Sequence, residues 1–139
     1  MKFQYNDGGR AAAGFTGKPK GECVVRAIAI ATGKSYREVF DALNYLADEK
    51  FFDGSDSSHG VGREVYQYYL ESIGWKWVPK MTIGSGCKVH LKSEELPAYP
   101  IVCRCSRHLV AVVNGVIQDI FDSSRNGTRC VYGWFELND

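Results

Sequence analysis

The chain has 139 residues, long enough to bury a core without disulfide support and short enough to form one domain, residues 1–139. Apolar residues make up 45% and charged residues 24%, which places it with ordinary globular proteins and not with disordered or fibrous ones. A formal net charge of +1 and the lack of a long run of Lys or Arg give no field to attract nucleic acid or an anionic membrane surface.

The segment from Met1 to Asp7 lacks the apolar core of a secretory signal, and no stretch approaches the ~18 apolar residues of a membrane span. Five cysteines, an odd number without the spacing of a small secreted scaffold, read as thiols of a reducing cytoplasm. Residues 1–21 are rich in Gly, Ala and Lys and read as an extended N-terminal arm.

A first helix is predicted from Cys23 to Thr32, with Gly33 as its stop. It is apolar on nearly all sides apart from Arg26, the pattern of a central, buried helix. Ser35-Tyr36-Arg37-Glu38 is a capping-box sequence, so a second helix starts there. Val39, Phe40, Leu43, Leu46 and Ala47 form its apolar face, and the pattern fades near Lys50. Residues 53–60, rich in Asp, Ser and Gly, read as a flexible surface loop. A third helix follows, with Val65, Tyr66, Tyr69, Leu70 and Ile73 on one face and Gly74 at its end.

Beyond Gly74 the period changes to that of strands. Residues 75–78 alternate, a short strand is expected around Lys88 to Leu91 in the ambiguous stretch 80–98, and Ile101 to Cys105 form another. Asn114-Gly115 between two β-rich runs is a two-residue hairpin signal. Cys130 to Leu137 read as the last strand. Helices first and an antiparallel sheet afterwards predict an α+β domain, with N-terminal helices packed on a C-terminal sheet.

Chemistry concentrates at three positions. Cys23 opens the first helix, where unpaired N–H groups and the helix dipole favour a thiolate and can receive an oxyanion. His108 opens a strand. If Asn114-Gly115 turns the hairpin, Val113 pairs with Val116, and counting back puts Val110 opposite Asp119. Side chains alternate, so His108 and Asp119 become diagonal neighbours on one face. A carboxylate on Nδ1 would fix the tautomer and leave Nε2 to act on the thiol. Asp122, near the strand end, is the alternative orienting acid. Asp119 in an apolar strand needs a partner in any case. The candidates are His108, Arg125 or Arg129, and Arg26 on its apolar helix fits a structural pairing with Asp119 or Asp122.

This order, Cys23 on a buried first helix and then His108 and Asp119 on paired strands, resembles the papain-like cysteine peptidases. The run from His108 to Gly115, followed by Val116-Ile117-Gln118-Asp119, is most similar to the C39-like group and to small phage and prophage proteins of that type. The resemblance spans about residues 20 to 135. It implies a papain-like fold and hydrolysis of a peptide or isopeptide bond in a peptide or protein substrate. Cys23 would be the nucleophile, His108 the base and Asp119 or Asp122 the orienting acid, with no cofactor and no metal. The group carries a Gln about six residues before the nucleophile as an oxyanion donor. Here that stretch reads Thr16-Gly17-Lys18-Pro19-Lys20, so the backbone of Cys23 and Gln4 of the arm are the candidate donors. Val24 follows the nucleophile where the group often has Gly. A papain-like binding protein without turnover, a cell-wall amidase and a transglutaminase-like transferase are the rival readings. Cys87, His90, Cys103, Cys105 and His108 supply possible metal ligands, but neither of their segments has the usual zinc spacing.

Overall fold

The computed structural model describes residues 2–82 and 84–138, so Met1, Ile83 and Asp139, which fall within the stretches discussed above, lie outside the described residues. In chain order its elements are β1 (Phe3–Tyr5), α1 (Cys23–Thr32), α2 (Tyr36–Leu46), α3 (Arg63–Ser72), β2 (Trp75–Pro79), β3 (Val89–His90), β4 (Ile101–Cys105), β5 (His108–Val113), β6 (Val116–Asp119), β7 (Cys130–Val131) and β8 (Gly133–Leu137). Three helices and a six-stranded mixed sheet make it an α+β fold. Among the described residues no helix is long and apolar enough to cross a membrane.

The sheet runs β1-β6-β5-β4-β8-β2, and β3 pairs with β7 beside it. All its pairs are antiparallel except β1 with β6, which run parallel. The expected purely antiparallel sheet is therefore corrected. Phe3–Tyr5 of the arm supply an edge strand, and residues 8–14 fold into turns, so the arm is not extended throughout. The predicted last strand is also divided, because Tyr132 separates β7 from β8.

Local signals account for the helix ends. Gly33 closes α1, its N–H reaching the Ala29 carbonyl at 3.0 Å. The Ser35 hydroxyl accepts from the Glu38 N–H at 3.1 Å, which is half of a capping box. The Glu38 carboxylate does not return to Ser35 and instead meets Lys34 Nζ at 3.2 Å. After Leu46 the chain continues through a wider π-type turn, Ala47–Phe51.

Alternate residues of β4 and β5 feed two cores. Val102, Leu109 and Ala111 join Val25, Ile28, Val39, Leu43 and Leu70 between sheet and helices. Ile101, Cys103, Cys105, Val110 and Val112 join Leu91, Ile117, Val131 and Trp134 on the other face. α1 is buried on nearly every side because it lies across β5 and against α2.

The loop expected to be flexible is pinned. Ser57 is fully buried, its N–H donating to Asn44 Oδ1 at 2.8 Å and its hydroxyl to the Phe40 carbonyl at 2.7 Å. Gly21 lies so close to this loop that a Cβ there would meet backbone atoms of Ser58 and His59 at 2.7–2.9 Å. That contact, with φ of +74°, admits only glycine and fixes the approach of the chain to Cys23.

The cysteines do not all remain thiols. Cys87 and Cys130 form a disulfide across 43 residues, leaving Cys23, Cys103 and Cys105 free. Reading five thiols and two bystanders is corrected on this point, and the inference from free thiols to a reducing compartment loses that premise.

Candidate functional site

The hairpin folds in the register that Asn114-Gly115 dictates. Both turn residues adopt positive φ, 54° and 72°, as a two-residue hairpin of this hand requires. Val113 pairs with Val116, Val112 with Ile117 and Ala111 with Gln118. The ladder stops there, one step before Asp119. Cys23, His108 and Asp119 are each the terminal residue of an element: the first of α1, the first of β5 and the last of β6. Strand ends are where side chains can turn out of the ladder and meet.

His108 Nε2 donates to Asp119 Oδ2 at 2.7 Å, with both residues buried. The ring is thus turned over relative to expectation. Nε2 faces the acid, and Nδ1 is the nitrogen left for the thiol. Phe121 packs beside the imidazole, ring centroids 5.4 Å apart, and covers part of it.

Asp119 is saturated with donors. Oδ2 also accepts from the Ser123 hydroxyl at 3.2 Å, and Oδ1 accepts from Arg26 Nε at 2.9 Å and from the Ile120 N–H at 2.7 Å. Burial alone would raise this carboxyl, but the His108 hydrogen bond and the Arg26 charge hold it below its ordinary value. Arg26 takes the structural pairing proposed for it. Asp122 is exposed and caps Ser124, accepting from its N–H at 3.0 Å and its hydroxyl at 2.7 Å, so it is not the orienting acid. Arg129 donates to the Ser106 and Ser123 carbonyls instead of to Asp119.

Burial pushes the Cys23 thiol up and is the largest single influence. Hydrogen bonds with the His108 imidazole and the Leu109 N–H, together with the charges of His108 and Arg26, outweigh it and hold the thiol below its ordinary value. For His108, burial favours the neutral ring, and the bonds to Asp119 and Cys23 override it and raise the pKa. The two shifts have opposite sign and favour a thiolate beside an imidazolium.

Cys23 has no side-chain cap in front of it, so the first N–H groups of α1 are not taken by a capping side chain. Gln4 stands on the edge strand opposite Gln118 with its side chain exposed, and it does not line the cleft over Cys23. It is therefore withdrawn as an oxyanion donor. The residue before Cys23, Glu22, is buried and accepts from Arg10 at 2.9 Å and from the Tyr36 hydroxyl at 2.5 Å. This cluster ties the arm and α2 to the start of α1, and the sequence reading missed it. Arg10 and Glu22 are twelve residues apart across an irregular arm, which carries no periodic signal.

A cleft of about 270 Å³ opens over Cys23 and His108. Gly60 and Val61 of the pinned loop form part of its wall, as do Arg63 and Tyr66 of α3 and Arg104 and Arg107 of the β4–β5 hairpin. No sequence motif joins these residues, because they converge from separate elements. Burial holds the Tyr66 phenol above its ordinary value, so the hydroxyl keeps its proton. Among the described residues no group of three or more His, Cys, Asp or Glu is placed to hold a metal ion. Cys103 and Cys105 pack in the second core, and His90 faces Glu95. No family model, curated protein or solved structure matches this chain.

Proposed function

We propose that this is a papain-like cysteine hydrolase that cleaves a peptide or isopeptide bond through Cys23, His108 and Asp119. The observation that carries the reading is Cys23 at the start of α1 against a buried imidazole whose far nitrogen is held by Asp119 at 2.7 Å. A helix N-terminus, a base and an oriented acid are what nucleophilic sulfur chemistry requires.

In the chemistry proposed, the Cys23 thiolate attacks the carbonyl carbon and the C–O π electrons move to oxygen. N–H groups at the start of α1 receive that oxyanion, and the protonated Tyr66 hydroxyl lines the same cleft. The C–N bond breaks as His108 Nδ1 gives its proton to the leaving nitrogen. Nδ1 then takes a proton from water, whose oxygen attacks the thioester and releases the acid and the thiolate. Asp119 is a positioning residue, holding the ring by Nε2 throughout. Cofactors play no part in this sequence.

The test is hydrolysis of a quenched fluorogenic peptide library, including isopeptide-linked members. Turnover is expected in the wild type and lost in Cys23→Ala and His108→Ala. Turnover that persists in Cys23→Ala overturns the proposal. A second reading, a papain-like binding protein without turnover, is favoured by one observation: no Asn or Gln lines the cleft to supply a side-chain amide to an oxyanion.

A further inference from the structure

The cleft over Cys23 is unusually one-sided in charge. Arg63, Arg104 and Arg107 line it, no Asp or Glu does, and none of the three forms an ion pair among the described residues. The asymmetry is local, because the chain as a whole is almost neutral. Among the described residues, every ion pair that forms uses other cations: Arg10, Arg26, Lys34, Lys76, Lys92 and the remaining histidines, besides His108 itself.

The guanidiniums are also held in place. Arg63 lies over the Trp77 ring at 5.3 Å and Arg104 over the Tyr132 ring at 5.3 Å. Aromatic faces orient the two planes without consuming N–H donors; Arg104 also hydrogen-bonds the Tyr66 phenol, and a guanidinium has further donors for a carboxylate. Arg63 and Arg104 also line an adjoining hollow of about 440 Å³, with Trp77, Pro79, Met81 and Tyr132 around it. The two arginines therefore stand where the cleft over Cys23 meets a second hollow walled largely by Trp77, Pro79, Met81 and Tyr132.

We infer that this site takes an acidic peptide, with an aspartate or glutamate side chain beside the scissile amide received by Arg63, Arg104 and Arg107. This rests on the hydrolase reading of the same site and adds the substrate class to it. A bidentate Arg–carboxylate contact gives direction as well as charge, which a long-range field does not. The cleft is small, about 270 Å³, and lined by the Cys–His pair, which suits one side chain and its amide better than a nucleic-acid backbone tracking across a surface.

The test compares alkylation of Cys23 by iodoacetate and by iodoacetamide, which share their chemistry and differ by one carboxylate. A free cysteine peptide in the same buffer sets the reference ratio of the two rates. Peptide mapping follows Cys23, and hydrolysis of matched Glu and Gln peptides is measured in parallel. The inference predicts an iodoacetate-to-iodoacetamide ratio about tenfold above the reference. The ratio falls toward the reference in Arg63→Gln and Arg104→Gln, each checked for an unchanged circular dichroism spectrum. In the wild type it also falls as ionic strength rises from about 0.02 to about 0.5 M, which needs no substitution. Glu peptides are cleaved about tenfold faster than Gln peptides. Fast iodoacetamide labelling with a ratio equal to the reference overturns the acidic-peptide inference and leaves the Cys–His reading standing. Slow labelling by both reagents overturns the Cys–His reading and the inference with it. A raised ratio with no preference for Glu peptides, but with inhibition of labelling by a single-stranded oligonucleotide, overturns the peptide assignment in favour of nucleic acid.

Discussion

Cys23 and Cys103 carry the same side chain in opposite surroundings. Cys23 stands at the open end of a helix, partly exposed, touched by an imidazole and a backbone N–H, and its thiol is held below the ordinary value. Cys103 lies in the middle of β4 with no exposure, surrounded by Val110, Leu91 and Trp134, and burial pushes its thiol well up. Cys105, two residues on, is pushed up to about 11 by the same cause, despite Arg129, Arg125 and Arg104 drawing it back. Burial acts on all three. Only at Cys23 do hydrogen bonds and positive charge reverse it, so the position within an element decides what a cysteine can do.

The largest expected effect comes from removing the group that maintains the reactive end. Asp119→Ala leaves the Arg26 and His108 side chains buried without their acceptor, and about 3–5 kcal/mol of stability is expected to be lost, measured by urea unfolding. Asp119→Asn keeps the shape and isolates the charge. The Asp119 carboxyl sits below its ordinary 3.8, so the folded state binds its proton less tightly than the unfolded state. Its stabilisation is complete above about pH 3.8 and lost as pH falls through the lower folded value. The wild type should therefore lose stability more steeply than Asp119→Asn on acidification.

At the inert end, Cys103→Ser places a hydroxyl among apolar side chains and is expected to cost about 1–3 kcal/mol. Cys23 labelling should not change, since Cys103 lies in the other core. A large change in Cys23 reactivity would mean that the two regions are coupled and the contrast is not local. The smallest expected effect is that of Ser123→Ala. It removes one donor from Asp119 Oδ2 and should cost about 1 kcal/mol, with a slight broadening of the acid transition.

Activity should follow the same electrostatics. In the proposed hydrolysis the acid limb should report Cys23 and lie below the ordinary thiol value of 9.0. The alkaline limb reports loss of the His108 proton and should lie above 6.5, because that pKa is raised. A profile that rises only above pH 9 would show an unassisted thiol.

Much of the reactive end was legible from the chain. A period of two and an Asn-Gly turn fix a hairpin register by counting, so His108 and Asp119 could be paired before any coordinates. The isolated charge of Arg26 on an apolar helix similarly announced a buried acid. The imidazole's orientation was not legible, because register brings two residues together without saying which ring nitrogen meets the carboxylate. Parallel pairing of β1 with β6 is closed over more than a hundred residues and has no turn to mark it. Cys87 and Cys130 pair across a similar gap in local information. Arg63, Arg104 and Arg107 come from a helix, a strand and a turn, so no window of sequence holds them together.

The most direct test of the central claim is the pH dependence of iodoacetamide labelling at Cys23, Cys103 and Cys105, resolved by peptide mapping, in wild type and His108→Ala. Cys23 should label well below the ordinary thiol value while Cys103 and Cys105 stay unlabelled in the folded protein, and His108→Ala should slow Cys23 at neutral pH by about tenfold or more. Labelling of Cys23 that rises only near the pKa of a free thiol and is unchanged in His108→Ala would contradict the account.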